Sequence, residues 1–384
     1  MRYLRELNLQ KLLKQKSFFL FGPRSTGKSY LIREQLAKQA FVIDLLKSHW
    51  FLKLSQSPGD LEEILKAQAK KKSMIVIDEV QKVPELLSEV HHLLENSTYR
   101  FLLTGSSARK LKKSHADLLA GRAWIAELFP LTWKEIPHFN LDSYLRYGGL
   151  PQVYASENPE EELDAYVRTY LKEEILAEGI IRKLPPFSRF LKLAALSNGD
   201  LLNMTQLGSD AGIAPSTIRE YYSVLEDTLL GFFLEPWVFS KKRKAIQTAK
   251  FYFFDTGVVH HLAGTEMLDR NSSQYGASFE QWMGIELRAY LSYRRIKKTL
   301  TFWRTQQGAE VDFLIGDHTA IEVKATTNAQ ERHLKGLLTL REEKVFKKYY
   351  LITRDKITRE KEGVTFFYWE DFLKKLWADE IGFK

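Results

Sequence analysis

Apolar positions along this chain fall into short unbroken runs separated by stretches of helical period. Residues 18–21, 74–77 and 101–103 are unbroken runs closed by Gly or polar residues, and 123–129 form a further run. Such runs read as strands buried on both faces, as in a parallel sheet, and the intervening stretches are compatible with crossover helices. Residues 131–184, containing "YLRYGGLPQVY" and "LDAYVRTYLKEEILAEGI", read as a small helical lid. A short helix around Thr205 to Asp210, a Gly212-Ile213-Ala214 turn and a helix opening at Pro215 have the spacing of a helix-turn-helix. Ile218, Tyr222 and Leu225 lie on the inner face of that second helix. Strands at 231–239 and 250–254 then predict a wing. In the last third, "YGASFEQWMGIELRAYL" is amphipathic. After it, two apolar runs around Gly316-Asp317-His318 read as a hairpin. The pattern predicts an α/β protein in four parts, 1–135, 136–185, 186–255 and 256–384.

Composition narrows the function classes. The chain has 384 residues, enough for several domains with their own cores, and 44% hydrophobic content with 13% aromatics excludes a largely disordered protein. A net charge of +9 points to a polyanionic partner. The absence of cysteine excludes disulfides, thiolate zinc sites and cysteine nucleophiles. No apolar run approaches the ~18–20 residues that span a bilayer, and the N-terminus has no signal-peptide pattern, so a cytoplasmic protein with no membrane association is expected.

The strongest chemical signal is Gly22-Pro23-Arg24-Ser25-Thr26-Gly27-Lys28-Ser29, set between the first strand and a helical pattern. This is a phosphate-binding loop in its required context: backbone N–H groups close around the phosphates, Lys28 reaches the β/γ-phosphates and Ser29 ligates Mg²⁺. ATP and Mg²⁺ are the expected cofactors. Asp78 closes the second run, where a buried acid calls for a metal partner, and Glu79 beside it is placed to activate water. The order of phosphate loop, paired acids, polar strand end, helix, arginine and last strand resembles AAA-type ATPases. That resemblance implies a sensor at Thr104 or Ser106, and an arginine finger, Arg122 with Arg109 as rival, acting across subunits of a homo-oligomer or ring. Arg146 or Arg168 in the lid are further candidates for nucleotide contact.

Two features point to DNA. Lys241, Lys242, Arg243 and Lys244 form a basic run at the tip of the expected wing with no acid nearby in sequence, and Arg219 on the second helix is the expected base reader. The hairpin carries Asp312, Glu322 and Lys324 in a D-x9-E-x-K spacing, which is similar to the PD-(D/E)XK, restriction-endonuclease-like core, with Val311 where the name-giving Pro would stand. The resemblance implies a helix glutamate, Glu280 or alternatively Glu286, and a second divalent metal site. Asp312 and Glu322 can share a side of the sheet only if facing residue numbers sum to an even value, which needs an odd-length loop or a bulge in the hairpin that supplies the extra residue. Without that register the charges would belong to a half-solvated sheet edge. The whole chain resembles prokaryotic AAA-type ATPases with a C-terminal domain of this nuclease-like type. The function expected is an oligomeric Mg²⁺-dependent ATPase that binds and remodels or translocates branched or structured DNA. The alternatives are an ATP-regulated structure-specific endonuclease and a nucleotide switch that docks protein partners.

Overall fold

The computed structural model describes residues 3–69, 73–105, 119, 121–171 and 184–383, with side chains excepted at 169–171 and 184. These residues divide into two compact units.

The first unit, Arg2–Phe129 with Asp227–Leu230, is built on five strands: β1 (Ser17–Phe21), β2 (Ala40–Asp44), β3 (Met74–Asp78), β4 (Arg100–Gly105) and β5 (Ala123–Glu127). Their order is β2-β3-β4-β1-β5 and every neighbouring pair is parallel. Parallel pairing requires long crossovers, here carried in part by α2 (Lys28–Leu36), α3 (Ser48–Gln56), α4 (Asp60–Ile64) and α5 (Leu86–Asn96), while α1 (Leu9–Gln15) precedes the sheet. All five residues of β1 are buried, as the unbroken apolar run requires. Phe19, Phe21, Ile75, Ile77, Phe101 and Leu103 form one core with Leu86, Leu87 and Val90 of α5. Because β4 lies between β1 and β3, the carboxyl ends of those three strands stand side by side.

The second unit, Pro130–Glu226 and Gly231–Lys384, carries an eight-stranded mixed sheet. Its strands are β6 (Gly231–Pro236), β7 (Lys250–Phe253), β8 (Leu300–Arg304), β9 (Glu310–Ile315), β10 (Thr319–Lys324), β11 (Lys348–Thr353), β12 (Arg359–Lys361) and β13 (Val364–Tyr368), in the order β12-β13-β11-β10-β9-β8-β6-β7. Helices of the expected lid are α6 (Leu141–Tyr147), α7 (Pro151–Ala155) and α8 (Pro159–Ala165), followed by α9 (Leu184–Leu196). The helix pair forms as the pattern indicates. α10 (Met204–Ala211) is capped by the Asn203 side chain and stopped by Gly212 at φ 66°, and α11 (Pro215–Asp227) opens on its proline. α12 (Thr256–Ala263), α13 (Ser273–Tyr293), α14 (Lys335–Arg341) and α15 (Trp369–Trp377) complete the unit.

The expected wing is corrected by this topology. β6 and β7 do pair antiparallel, but β6 also pairs parallel with β8 at Glu235↔Thr301 and Pro236↔Phe302. The two strands are therefore the edge of the large sheet, and the expected boundary at 255/256 runs through one continuous structure. An edge strand presents unpaired N–H and C=O groups, and β8 covers the end of β6 at Glu235 and Pro236 while β7 remains the outer strand.

The "GGLP" stretch has a structural reason. Asp255 caps α12 through Val258 N (3.1 Å), and its other oxygen accepts from Gly149 N (2.7 Å). Burial pushes the Asp255 carboxyl up to about 6, opposed by N–H groups of Gly149, Val258, Gly257 and Leu150. A Cβ on Gly148, which sits at φ 78°, would lie 2.0 Å from Asp255 Oδ1. Gly148→Ala should therefore cost roughly 1–3 kcal/mol, through overpacking and a strained φ. Denaturant titration checks this, and a midpoint equal to wild type would show that the clamp yields freely.

Candidate functional site

The phosphate loop leaves β1 at Gly22, where a Cβ would fall 2.5 Å from the Leu128 carbonyl oxygen. It turns through Ser25 at φ 63° and Gly27 at φ 95° before α2 begins at Lys28. Thr26 Oγ1 donates to Pro23 O at 2.8 Å, bracing the turn from within. The buried Lys28 ammonium lies 2.6 Å from Gly22 O and 3.1 Å from Pro23 O, so its charge is delivered into the concave side of the loop. Arg5 belongs to no motif in the sequence. It donates to Thr26 O (2.8 Å) and Phe129 O (2.6 Å), tying the loop to the exit from β5.

Beside the loop, Asp78 is buried at the end of β3 and accepts a hydrogen bond from the Thr104 hydroxyl on β4. The same hydroxyl oxygen accepts from Glu79 N at 3.0 Å. Glu79 itself adopts φ 61°, ψ 45°, a left-handed conformation that costs a non-glycine residue roughly 1 kcal/mol or more. Its carboxylate accepts from Gln81 Nε2. Thr104 thus fixes both acids. The hydroxyl of Ser29 and the carboxylate of Asp78 are hard oxygen donors that suit Mg²⁺, which would supply charge neutralisation for phosphate. Arg122 is exposed and pairs with Glu95 of α5 in its own chain. Exposed pairs of this kind are worth only ~0–1 kcal/mol, so the guanidinium is cheaply released. Ser106 and Arg109 lie outside the described residues. Arg146 bonds Glu160 and the Glu266 carbonyl oxygen, and Arg168 bonds Asp164.

In the second unit the hairpin has the even-sum register. Ile315 faces Thr319, Leu314 faces Ala320 and Phe313 faces Ile321 across the three-residue loop. Asp312 and Glu322 come together around Lys324, whose Nζ is 2.6 Å from Glu322 Oε1 and 3.5 Å from Asp312 Oδ2. Asp312 Oδ2 also accepts from Val323 N at 2.8 Å. On the other flank β9 is bulged: β8 advances two residues from Thr301 to Trp303 while β9 retreats three, from Leu314 to Val311. The extra residue falls at Asp312-Phe313, and Val311 and Leu314 accordingly share one core with Leu334, Leu337 and Leu340. The solvated-edge reading fails, because β9 and β10 are central strands and Asp312 and Glu322 are both buried.

The two helix glutamates lie in different surroundings. Glu280 lies at the cluster, accepting from Tyr252 and Lys250 (3.2 Å). Lys250 also pairs with Glu310 at 2.7 Å, and its side chain is only 5% exposed. Neither Lys250, Tyr252 nor Glu310 stands out in the sequence; only their partners across the fold show them. Burial first, then the Asp312 charge, raises the Glu280 and Glu322 carboxyls. Glu322 Oε2 is buried and has no hydrogen-bond partner among the described residues. Among the described residues no three His, Asp or Glu side chains are arranged to hold a metal ion. Lys250 and Tyr252 both bond one oxygen of Glu280, Oε1, so that this acid is engaged by the lysine and the hydroxyl.

The basic run also differs from expectation. Acids absent nearby in sequence arrive from residues a hundred positions on: Glu343 accepts from Ser240 Oγ (2.6 Å) and from Lys241 N (2.9 Å), and Glu342 pairs with Arg243 (2.9 Å). Arg219 lines a cleft of about 1010 Å³ with Asn203, Thr205, Glu226, Glu235 and Gln247.

Residues 14–137 match a family described as an AAA domain. Residues 138–269 and 275–372 match two domains of unknown function, DUF8612 and DUF4143. With the loop and parallel sheet above, the first unit is an AAA-type P-loop domain. An uncharacterized protein of Mycobacterium tuberculosis is 29% identical over 324 residues, 80% of this chain and 70% of its own length. One from Haemophilus influenzae is 24% identical over 316 residues, covering 74% and 78%. One from Methanocaldococcus jannaschii is 23% identical over 341 residues, covering 79% and 73%. Domain III of the Thermotoga maritima replication initiation protein DnaA overlays with a TM-score of 0.26 at 18% identity, over 57% of this chain and 88% of that one. No helix among the described residues is long and apolar enough to cross a membrane.

Glu286, the rival helix glutamate, is fully buried elsewhere and accepts from Trp133 N (2.6 Å), Trp282 Nε1 (3.2 Å) and Trp377 Nε1 (3.1 Å). Burial pushes its carboxyl up to about 8 despite those donors. A group raised on folding contributes stability that is full below its unfolded value near 4.5 and is lost as pH rises through about 8. Stability should thus fall over that window, by at most about 1.4 kcal/mol per pH unit from this group. Glu286→Gln should remove that component, flattening the curve relative to wild type while lowering stability overall. Parallel pH curves for the two proteins, measured by denaturant melts, would refute the assignment.

Proposed function

We propose that the chain is an oligomeric, Mg²⁺-dependent ATPase that binds DNA, branched or structured, and remodels or translocates it. The observation that carries this reading is the Lys28 loop beside the Asp78–Thr104–Glu79 bridge, in an AAA-type domain. Lys28 meets the β/γ-phosphates, Ser29 and Asp78 hold Mg²⁺, Glu79 orients the attacking water and Thr104 senses the nucleotide. Arg122 of one subunit completes a neighbour's site. The net charge of +9 and the lysines of the basic run support DNA as the partner. The rival nucleotide switch that docks proteins draws on Glu342 and Glu343, which occupy part of that run. The endonuclease alternative draws on Asp312, Glu322 and Lys324.

Glu79→Gln should retain ATP binding and lose at least about 100-fold in turnover, since only water activation is removed. Binding measured with a fluorescent nucleotide and hydrolysis measured as phosphate release separate the two effects. Wild-type turnover in the variant would displace Glu79 from its role.

Replacing Lys241, Lys242, Arg243 and Lys244 by alanine should weaken binding to a four-way DNA junction. It should also flatten log K against log salt by up to about 0.9 for each phosphate no longer neutralised. An unchanged affinity and slope, with ATP turnover indifferent to DNA, would favour the protein-docking switch.

A further inference from the structure

We propose that Lys250 is a built-in cation that occupies the electrostatic place of a divalent ion, and that removing it turns the C-terminal cluster into a metal site. The inference rests on the nuclease-like reading of Glu280, Asp312, Glu322 and Lys324. A D-x9-E-x-K core with a helix glutamate supplies three carboxylates, and a divalent ion needs them to converge with open oxygens. Here one oxygen of the third is taken. Glu280 Oε1 receives both the Lys250 ammonium at 3.2 Å and the Tyr252 hydroxyl. Lys250 is held from a second side by Glu310 at 2.7 Å and lies 5.3 Å from the centroid of the Phe302 ring. Glu310 is itself fixed by Arg304 at 3.3 Å.

The hold is therefore a packed network, and Lys250 reaches it from β7, a strand outside the hairpin that carries the core. Lys324 answers Asp312 and Glu322 in the same way, so two ammonium groups face four carboxylates. Glu322 Oε2, buried and without a hydrogen-bond partner among the described residues, belongs to the group formed with Asp312, Lys324 and Glu280. It is the oxygen a cation would complete. Removing the Lys250 charge leaves Glu280 with the Tyr252 hydroxyl and no cation, one more uncompensated negative charge in a low-dielectric site, where a divalent ion is strongly attracted.

The test is a Mn²⁺ titration of the full-length, nucleotide-free protein, with free Mn²⁺ read by electron paramagnetic resonance. An Asp78→Asn background removes the ATPase metal carboxylate. Lys250→Met should gain one Mn²⁺ site at least about tenfold tighter than any in the parent, and adding Asp312→Asn should abolish it. Because deleting one partner of a buried ion pair is destabilising, Lys250→Gln is measured beside it. A parent protein that already binds Mn²⁺ tightly in an Asp312-dependent manner overturns the proposal, and that comparison needs no Lys250 variant. So does a folded Lys250 variant that gains nothing. Failure of the DNA reading would appear separately, as absent junction binding at low salt.

Discussion

A carboxylate taken out of water must be met by donors or cations, and this constraint recurs through the described residues. Asp78 is met by the Thr104 hydroxyl, Asp255 by backbone N–H groups, and Glu286 by one backbone and two indole N–H groups. Glu280 and Glu322 are met by lysines. Most of these partners come from a different element, so the acids join segments that the chain keeps far apart. Gly149 and Asp255 are 106 residues apart, and Trp133 and Glu286 are 153 apart. Neutral donors suffice at Asp78, Asp255 and Glu286, whereas an ammonium joins the shell at Glu280 and Glu322.

What can be read from sequence follows from how local the cause is. The phosphate loop is eight consecutive residues between a strand and a helix, and the geometry at Ser25, Gly27 and Lys28 follows from them. The α10–α11 turn is equally legible, since Asn203, Gly212 and Pro215 act on their own neighbours. Even the β9–β10 register is accessible, because a three-residue loop settles parity. The wing misleads because β6 finds its second partner, β8, 66 residues away, and no local pattern encodes that pairing. The basic run misleads for the same reason: Glu342 and Glu343 are invisible to a reading confined to its surroundings. The bulge in β9 is expected, if anywhere, beside β10, and it lies against β8. Lys250 carries no signal at all, being one lysine at the start of a short apolar strand.

Fold and site also differ in what their residues tolerate. The apolar runs of β1 and β3 are specified by size and burial, and substitutions that keep volume leave such layers intact. Thr104 has no such latitude, because one hydroxyl both donates to Asp78 and accepts from the Glu79 N–H. Serine keeps the oxygen; valine keeps only the shape.

Lys250 also has a backbone, and its place there matters for motion. The residue bridges Leu201, just ahead of α10, and pairs with Leu234 of β6, just after α11. The helix pair is thus anchored at both ends to the residue whose side chain holds Glu280 and Glu310. Lys250 thus joins the backbone before α10 and after α11 to the ion pairs of Glu280 and Glu310, so a shift of this one strand position disturbs both.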